Sequence, residues 1–363
     1  MSVVKRLEPG DFKEYVRVTL EVYPSMFPSM SDQQIEVWIK RMQKQQKEDS
    51  DLEYFGYFRE DKLLGAMRLH TFKMNVHGVD MLAGGVGNMC VDLTSKKEHI
   101  AKELMKYYHR HFWEMGAPLV LLWPFRHDFY MKMGYGYGCK YNKYKVKPGD
   151  LPKGSKDGVS FMRQEDKTEL LGCFNRYASA KHGMIYKKEG FFDRFLNRYK
   201  VVGYKTGGKS GGFLGFNFKN LDPDNPLRQN MVIEYMIYEN REALRRLLSF
   251  LHTQLDQVER IEFLTYDGDL HFLPKDPTDG SEHIFFINQQ SNVQGLGIMY
   301  RILNKERFIE DLSSTRLNPE TVRVRFMVND SFLPVNQGNM TAHFKEEKPE
   351  IGEGYDVTIS LNI

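Results

Sequence analysis

Apolar positions in this chain recur in two rhythms, every second residue and every third or fourth, and the switches between them mark out the elements. Residues 3–7 read as a strand, and 11–21 place Phe12, Tyr15, Val16 and Leu20 at helical spacing. Tyr23-Pro24 and Pro28 break that helix, and Ser31-Asp32 caps a second one over 33–47. Residues 54–58, 63–72 and 81–91 alternate as strands of a meander, turning at 59–62 and at His77-Gly78. The clearest helix follows. Ser95 and Glu98 have the spacing of a capping box, and Ile100, Leu104, Tyr108, Phe112 and Met115 form one apolar face. Gly116 and Pro118 end it, and 119–123 is a continuous apolar run suited to a buried, parallel strand.

At 147–159 the pattern gives way to KPGDLPKGSKDG, a linker. Beyond it a similar order returns: a helical region over 161–177, a meander over 201–205 and 213–218, then strand 231–238, helix 242–258 and strand 262–266. Strand, helix and strand over 231–266 echo 86–123, which reads as a duplication with diverged side chains, although such units also recur by chance. A third piece has strand-like 299–303, helical 308–312 and strands at 322–328, 342–345 and 355–361. The expected domains are 1–147, 148–291 and 292–363.

Composition narrows the class. A formal net charge of +3 over 363 residues argues against nucleic acid or an anionic membrane as partner. No window approaches a membrane span, and the first residues have no apolar leader core. Cys90, Cys139 and Cys173 form neither a disulfide framework nor a zinc spacing, so reduced thiols in a cytoplasm are expected, with no metal. His109 and His111 point to different sides of one helix and cannot share an ion. No P-loop, G-x-S-x-G or H-E-x-x-H occurs.

The chemistry concentrates between Gly84 and Gly138. A strand ending near Val91 that feeds a helix N-terminus offers unpaired amides and a positive dipole end to a pyrophosphate, with Lys96 and Lys97 adding charge. The unpaired edge of that strand suits the amides of a pantetheine arm. The opposing reading is a self-capped surface helix, in which Ser95 and Glu98 satisfy the same amides and Glu98 repels phosphate. Tyr130 follows the strand ending at Trp123. It reads either as an acid for a departing thiolate or as one more packing aromatic among Phe125, Phe129, Tyr135 and Tyr137.

GGVGNMCVDLTSKKEHIAKEL followed by FYMKMGYGYG resembles the first domain of the enhanced-intracellular-survival (Eis) type acetyltransferases. The resemblance implies an α/β (α+β) architecture: tandem GNAT folds, each a mixed central sheet flanked by helices, and a small sterol-carrier-like C-terminal domain. It further implies transfer of an acetyl group from acetyl-CoA to a primary amine on a small molecule or peptide, aminoglycoside-like or of the lysine or polyamine kind. Tyr130 would be the general acid. Met89, Cys90 and Val91 would hold the pantetheine arm, and Lys97, Glu98, His99, Ile100, Ala101 and Lys102 would wrap the pyrophosphate, with Phe125 and Arg126 near the cofactor. The family commonly assembles as hexamers around acidic, aromatic substrate cavities.

Two departures stand out. The family's R/Q-x-x-G-x-G/A loop reads Lys96-Lys97-Glu98-His99-Ile100-Ala101, with His99 where glycine lets phosphate approach the backbone. The family's general base is its C-terminal carboxylate, which would fall to Ile363; the short third region leaves that domain expected to be incomplete. These departures keep a second reading open, a degenerate GNAT scaffold that binds a ligand or partner without catalysis. A tandem-GNAT aminoacyl transferase ranks last, since neither a basic patch nor a charged helical arm is present.

Overall fold

The computed structural model describes residues 2–27, 29–312, 321–345 and 349–362, apart from the side chain of Phe285. Two compact units result: Met1–Tyr137 with Ile298–Ile363, and Gly138–Gly297. In chain order the first begins with β1 (Ser2–Arg6), α1 (Phe12–Val22), α2 (Asp32–Glu48), β2 (Leu52–Arg59), β3 (Lys62–Val76) and β4 (Val79–Val91). It continues through α3 (Ile100–Glu114), β5 (Leu119–Leu122), α4 (His127–Met131) and β6 (Gly136–Tyr137). The second unit holds β7 (Lys140–Val146), β8 (Val159–Phe161), α5 (Lys167–Ser179), α6 (Glu189–Arg198), β9 (Lys200–Thr206), β10 (Lys209–Asn220) and β11 (Gln229–Tyr238). Then follow α7 (Arg241–His252), β12 (Ile261–Thr265), β13 (His283–Phe285), β14 (Asn288–Gln289) and β15 (Asn292–Leu296). The chain returns to the first unit with β16 (Met299–Ile302), α8 (Lys305–Leu312), β17 (Val322–Asn329), β18 (Gly338–Phe344), β19 (Glu350–Ile351) and β20 (Val357–Asn362).

The first sheet is ordered β1-β2-β3-β4-β5-β16-β6 and the second β15-β7-β12-β11-β10-β9-β8. Each is an antiparallel meander joined to one parallel pair, β4 with β5 and β11 with β12, the crossovers being α3 and α7. The strand–helix–strand echo in the sequence is thus a repeat of architecture. The domain boundaries fall elsewhere than expected. β7 lies before residue 147 yet pairs with β12 and β15, and β15 lies after residue 291 yet stays in the second sheet. The returning strand β16 inserts between β5 and β6. After it, a four-stranded sheet, β19-β18-β17-β20, packs α8 through Ile309, Met340 and Ala342.

Helix α3 lies on the first sheet by the face its spacing defined: Ile100, Leu104, Tyr108 and Phe112 are fully buried. The fit against β4 is close. A Cβ on Gly84 would lie 2.3–2.6 Å from the Phe112 ring, so glycine is required there by the helix. The Tyr108 hydroxyl sits 2.9 Å from the Gly84 carbonyl and 3.0 Å from that of Leu121, bridging β4 and β5 where they run parallel. Gly84→Ala is expected to destabilise the protein by about 1–3 kcal/mol, because overpacking forces helix and sheet apart. A denaturation midpoint equal to the parent's would show that Phe112 swings aside freely.

Two helix limits differ from the sequence reading. The α3 helix begins at Ile100, not beside Ser95, because Leu93–Ser95 forms a separate 3-10 turn capped by Asp92. The α7 helix stops at His252, where the Thr253 amide turns in on the Ser249 and Phe250 carbonyls, and Leu255 beyond it is exposed.

Candidate active site

The β4 and β5 strands pair only from Ala83–Leu119 to Val86–Leu122. Past Val86, β4 runs on for five residues while β5 has ended, so Gly87–Val91 has β3 on one side and a free edge on the other. The pairing with β3 slips between Ala66 and Arg68, and Asn88 takes φ 46°, which places a bulge in β4 at the opening. Bulges bend the strand and withdraw a residue from the ladder, leaving backbone groups available to a ligand.

Met89, Cys90 and Val91 lie along this edge. The Tyr23 hydroxyl donates to the Met89 carbonyl. The Cys90 side chain faces the core, 1% exposed and 3.7 Å from the Thr19 hydroxyl; burial pushes its thiol up to about 11. A protonated thiol turned inward is no nucleophile, so Cys90 offers its backbone alone.

The expected capping box does not form. Ser95 is buried in the 3-10 turn, and the Glu98 carboxylate reaches Arg59 at 2.6 Å. Lys97 and His99 take φ 68° and 63°, the left-handed turn that glycine favours, and His99 stands at the N-cap with no side-chain cap bond. The first helical rung is Glu103 N to His99 O, so the amides of Ile100, Ala101 and Lys102 have no partner within the helix. The Ile100 side chain packs in the core, while those of Lys96, Lys97, Glu98, His99 and Lys102 are exposed. Both objections raised by the sequence therefore fall: the helix start is not self-capped, and Glu98 is neutralised.

Tyr130, on α4, is 5% exposed. Its ring meets Phe129 at 5.2 Å, Phe125 at 5.8 Å and Tyr135 at 5.9 Å, all edge-to-face. Burial first, and the neighbouring Tyr23 phenol second, push the Tyr130 hydroxyl well above its ordinary pKa, so it holds its proton through neutral pH. Phe125, which touches the Tyr130 ring, is 71% exposed, leaving a bare aromatic face beside the buried phenol. The Arg126 guanidinium is exposed but held at 2.5 Å by Asp128. Ile363 lies outside the described residues.

Tyr23 and Arg59 escaped the sequence reading. Tyr23 sits in the Tyr-Pro step that ended α1, and Arg59 in a hairpin turn; their roles arise from contacts 66 and 39 residues away. His109 and His111 do part, His109 bonding the Tyr135 hydroxyl at 2.8 Å inside the core and His111 lying 3.7 Å from Glu53. Among the described residues, no three His, Cys, Asp or Glu side chains group to hold a metal ion, and no helix is long and apolar enough to cross a membrane.

The second unit repeats the splay without the loop. The β11 and β12 strands pair only from Met231–Ile261 to Ile233–Phe263, and β11 then continues with β10 on one side and an open edge on the other. Only Glu239 and Asn240 separate it from α7; Asn240 caps the Ala243 amide and Glu239 pairs with Arg176 at 2.6 Å. No left-handed turn or uncapped helix start remains there for a phosphate.

Two splayed α/β sheets, one with an open helix start at the splay, define an acetyl-transfer fold of the GNAT kind. Acetyltransferase (GNAT) domain families match residues 3–138 and 183–302, and together they span most of the chain, which is a tandem-domain GNAT acetyltransferase. Three solved structures share its fold. A probable N-acyltransferase from Enterococcus faecalis is 18% identical with a TM-score of 0.79, over 100% of this chain and 88% of that one. A GCN5-related N-acetyltransferase from Anabaena variabilis is 14% identical, TM-score 0.80, over 100% and 88%. Eis1 from Mycobacterium abscessus is 15% identical, TM-score 0.73, over 99% and 87%. No curated protein matches the sequence.

Proposed function

We propose that the first unit binds acetyl-CoA in the β4/β5 splay and passes its acetyl group directly to a primary amine, with Tyr130 as general acid. The observation that carries this reading is the junction of a free β4 edge with an uncapped α3 start, with Tyr23, which bonds the Met89 carbonyl on that edge, acting in turn on the buried, protonated Tyr130. The pantetheine arm would bond the Asn88–Val91 backbone as an added strand does, and the pyrophosphate would take the amides of Ile100, Ala101 and Lys102, with Lys96 and Lys97 nearby. The amine nitrogen attacks the thioester carbonyl, the C–S bond breaks, and the leaving thiolate takes the Tyr130 proton. The amine's surplus proton passes to water or a base, and solvent restores the phenol. The acceptor is a small-molecule or peptide amine, and by resemblance the C-terminal sheet is sterol-carrier-like and the assembly hexameric.

Calorimetric titration with acetyl-CoA tests the reading. Micromolar binding supports it, and turnover is then sought with aminoglycosides, polyamines and lysine peptides. No heat at millimolar cofactor favours the degenerate scaffold instead. His99→Gly separates these cases further. The parent already adopts the left-handed turn at a strain of about 1 kcal/mol, so the variant should be slightly more stable and bind acetyl-CoA only a few-fold tighter, by about 1 kcal/mol at most. Binding that exists only in the variant would mean that the His99 side chain blocks the phosphate site.

A further inference from the structure

The second unit keeps the splay but has lost the phosphate loop, which leaves its opening free for a different ligand. The bulge is kept as well. In β4 it falls at Asn88–Met89, just past the last parallel pair at Val86; in β11 it falls at Glu234, directly past the last parallel pair at Ile233. Glu234 has no opposite residue on β10, since Gly215 faces Tyr235 and Phe216 faces Ile233. Around it the structure gathers tyrosines from separate elements. The Tyr199 hydroxyl, at the end of α6, donates to Glu234 Oε2 at 2.6 Å. Tyr266 follows the end of β12 and meets Tyr141 of β7, their rings 4.9 Å apart. Tyr235 packs on Tyr199 at 5.8 Å. Among the described residues, no donor reaches the other oxygen of Glu234, and the residue is half-buried.

The Tyr199 hydroxyl bonds that carboxylate, and its charge also acts on Tyr141 and Tyr235. Burial, then Tyr266, Glu234 and Tyr235 push the Tyr141 phenol up to about 12, and Glu234 likewise raises Tyr199 and Tyr235 after burial. Each of these phenols therefore stays neutral, and the group carries the one negative charge of Glu234. Arg198, over the Tyr199 ring at 5.2 Å, is the cation that acts on Tyr199 and Tyr235. A carboxylate with a free oxygen, walled by electron-rich rings and facing an unpaired strand edge, has the chemistry that recognises an ammonium group: one charge-assisted hydrogen bond and several cation–π faces.

We propose that the β11/β12 splay is a second binding site, separate from the acetyl-transfer centre, that takes a protonated alkylamine with Glu234 as its counterion. The test is a calorimetric titration of the full chain with spermidine, without acetyl-CoA, so that its outcome does not depend on catalysis or on cofactor binding. The parent should bind, and Glu234→Gln, which keeps the shape and the Tyr199 partner, should bind about tenfold more weakly or worse. Tyr141→Leu, at the rim of the same group, should also weaken binding, and circular dichroism melts confirm that both variants fold. Absence of heat at millimolar spermidine overturns the proposal. So does parent-like affinity in both variants, which would put the amine elsewhere, and so does inorganic phosphate binding in place of spermidine, which would assign the site to Arg198.

Discussion

Tyr130→Phe is expected to lower the turnover of acetyl transfer by about 10²–10⁴-fold, the range that a positioned general acid contributes. Acetyl-CoA affinity should stay within about threefold of the parent's, since on this mechanism the phenol meets sulfur only as the thiolate leaves. The substitution is structurally mild. Tyr130 is fixed by its ring contacts with Phe125, Phe129 and Tyr135, and phenylalanine keeps them. Its hydroxyl donates to no protein group among the described residues, so no partner is orphaned. A loss of turnover in a variant with unchanged melting therefore reports chemistry. The pH profile gives a second check. A phenol whose pKa is raised by burial is protonated, and competent as an acid, at every pH below that raised value. Turnover in the parent should show no fall between neutrality and about pH 10 from this group. Equal turnover in parent and variant would remove Tyr130 from the mechanism.

The fold was legible where one element's own residues decide it. The apolar face of α3 and the uniformly apolar β5 are local signals, and both are buried as expected up to Phe112 and Leu122, while Met115 and Trp123 at their ends lie outside the elements and are exposed. The tandem order was legible for the same reason, because a strand–helix–strand unit carries its pattern wherever it recurs. What stayed hidden depends on residues far apart in the chain. Ser95 and Glu98 have the spacing of a cap, but Glu98 is drawn to Arg59 of β2, 39 residues earlier, and Ser95 is used by the preceding turn. The left-handed turns at Lys97 and His99 are held without glycine, so composition gave no sign of them. Tyr23 marked a helix end in the sequence and proved to bond the Met89 carbonyl at the free edge of β4. The tyrosines around Glu234 come from β7, β11 and the residues just past α6 and β12, and no local window contains more than two of them.

The same long-range logic sets the largest stability effect. Arg301 of β16 and Asp330, in the turn after β17, form an ion pair at 2.5 Å with side chains 1% and 0% exposed. Asp330 also accepts the amides of Leu333 at 2.7 Å and Phe332 at 3.2 Å, so one carboxylate shapes the turn that packs Phe332 and Leu333 on the first unit's core. Asp330→Ala removes the counterion and the oxygen that accepts both amides while leaving a guanidinium buried, and the expected cost is about 3–5 kcal/mol. Asp330→Asn keeps an oxygen for the amides and should recover part of that loss. Because the chain has two units, the measurement is best made on the transition that carries the first unit, followed in denaturant by Trp38, Trp113 and Trp123, all of which lie in it. A shift worth less than about 1 kcal/mol in the alanine variant would mean that water enters and solvates Arg301, and that β16 is held in the sheet by its ladder with β5 and β6 rather than by the buried pair.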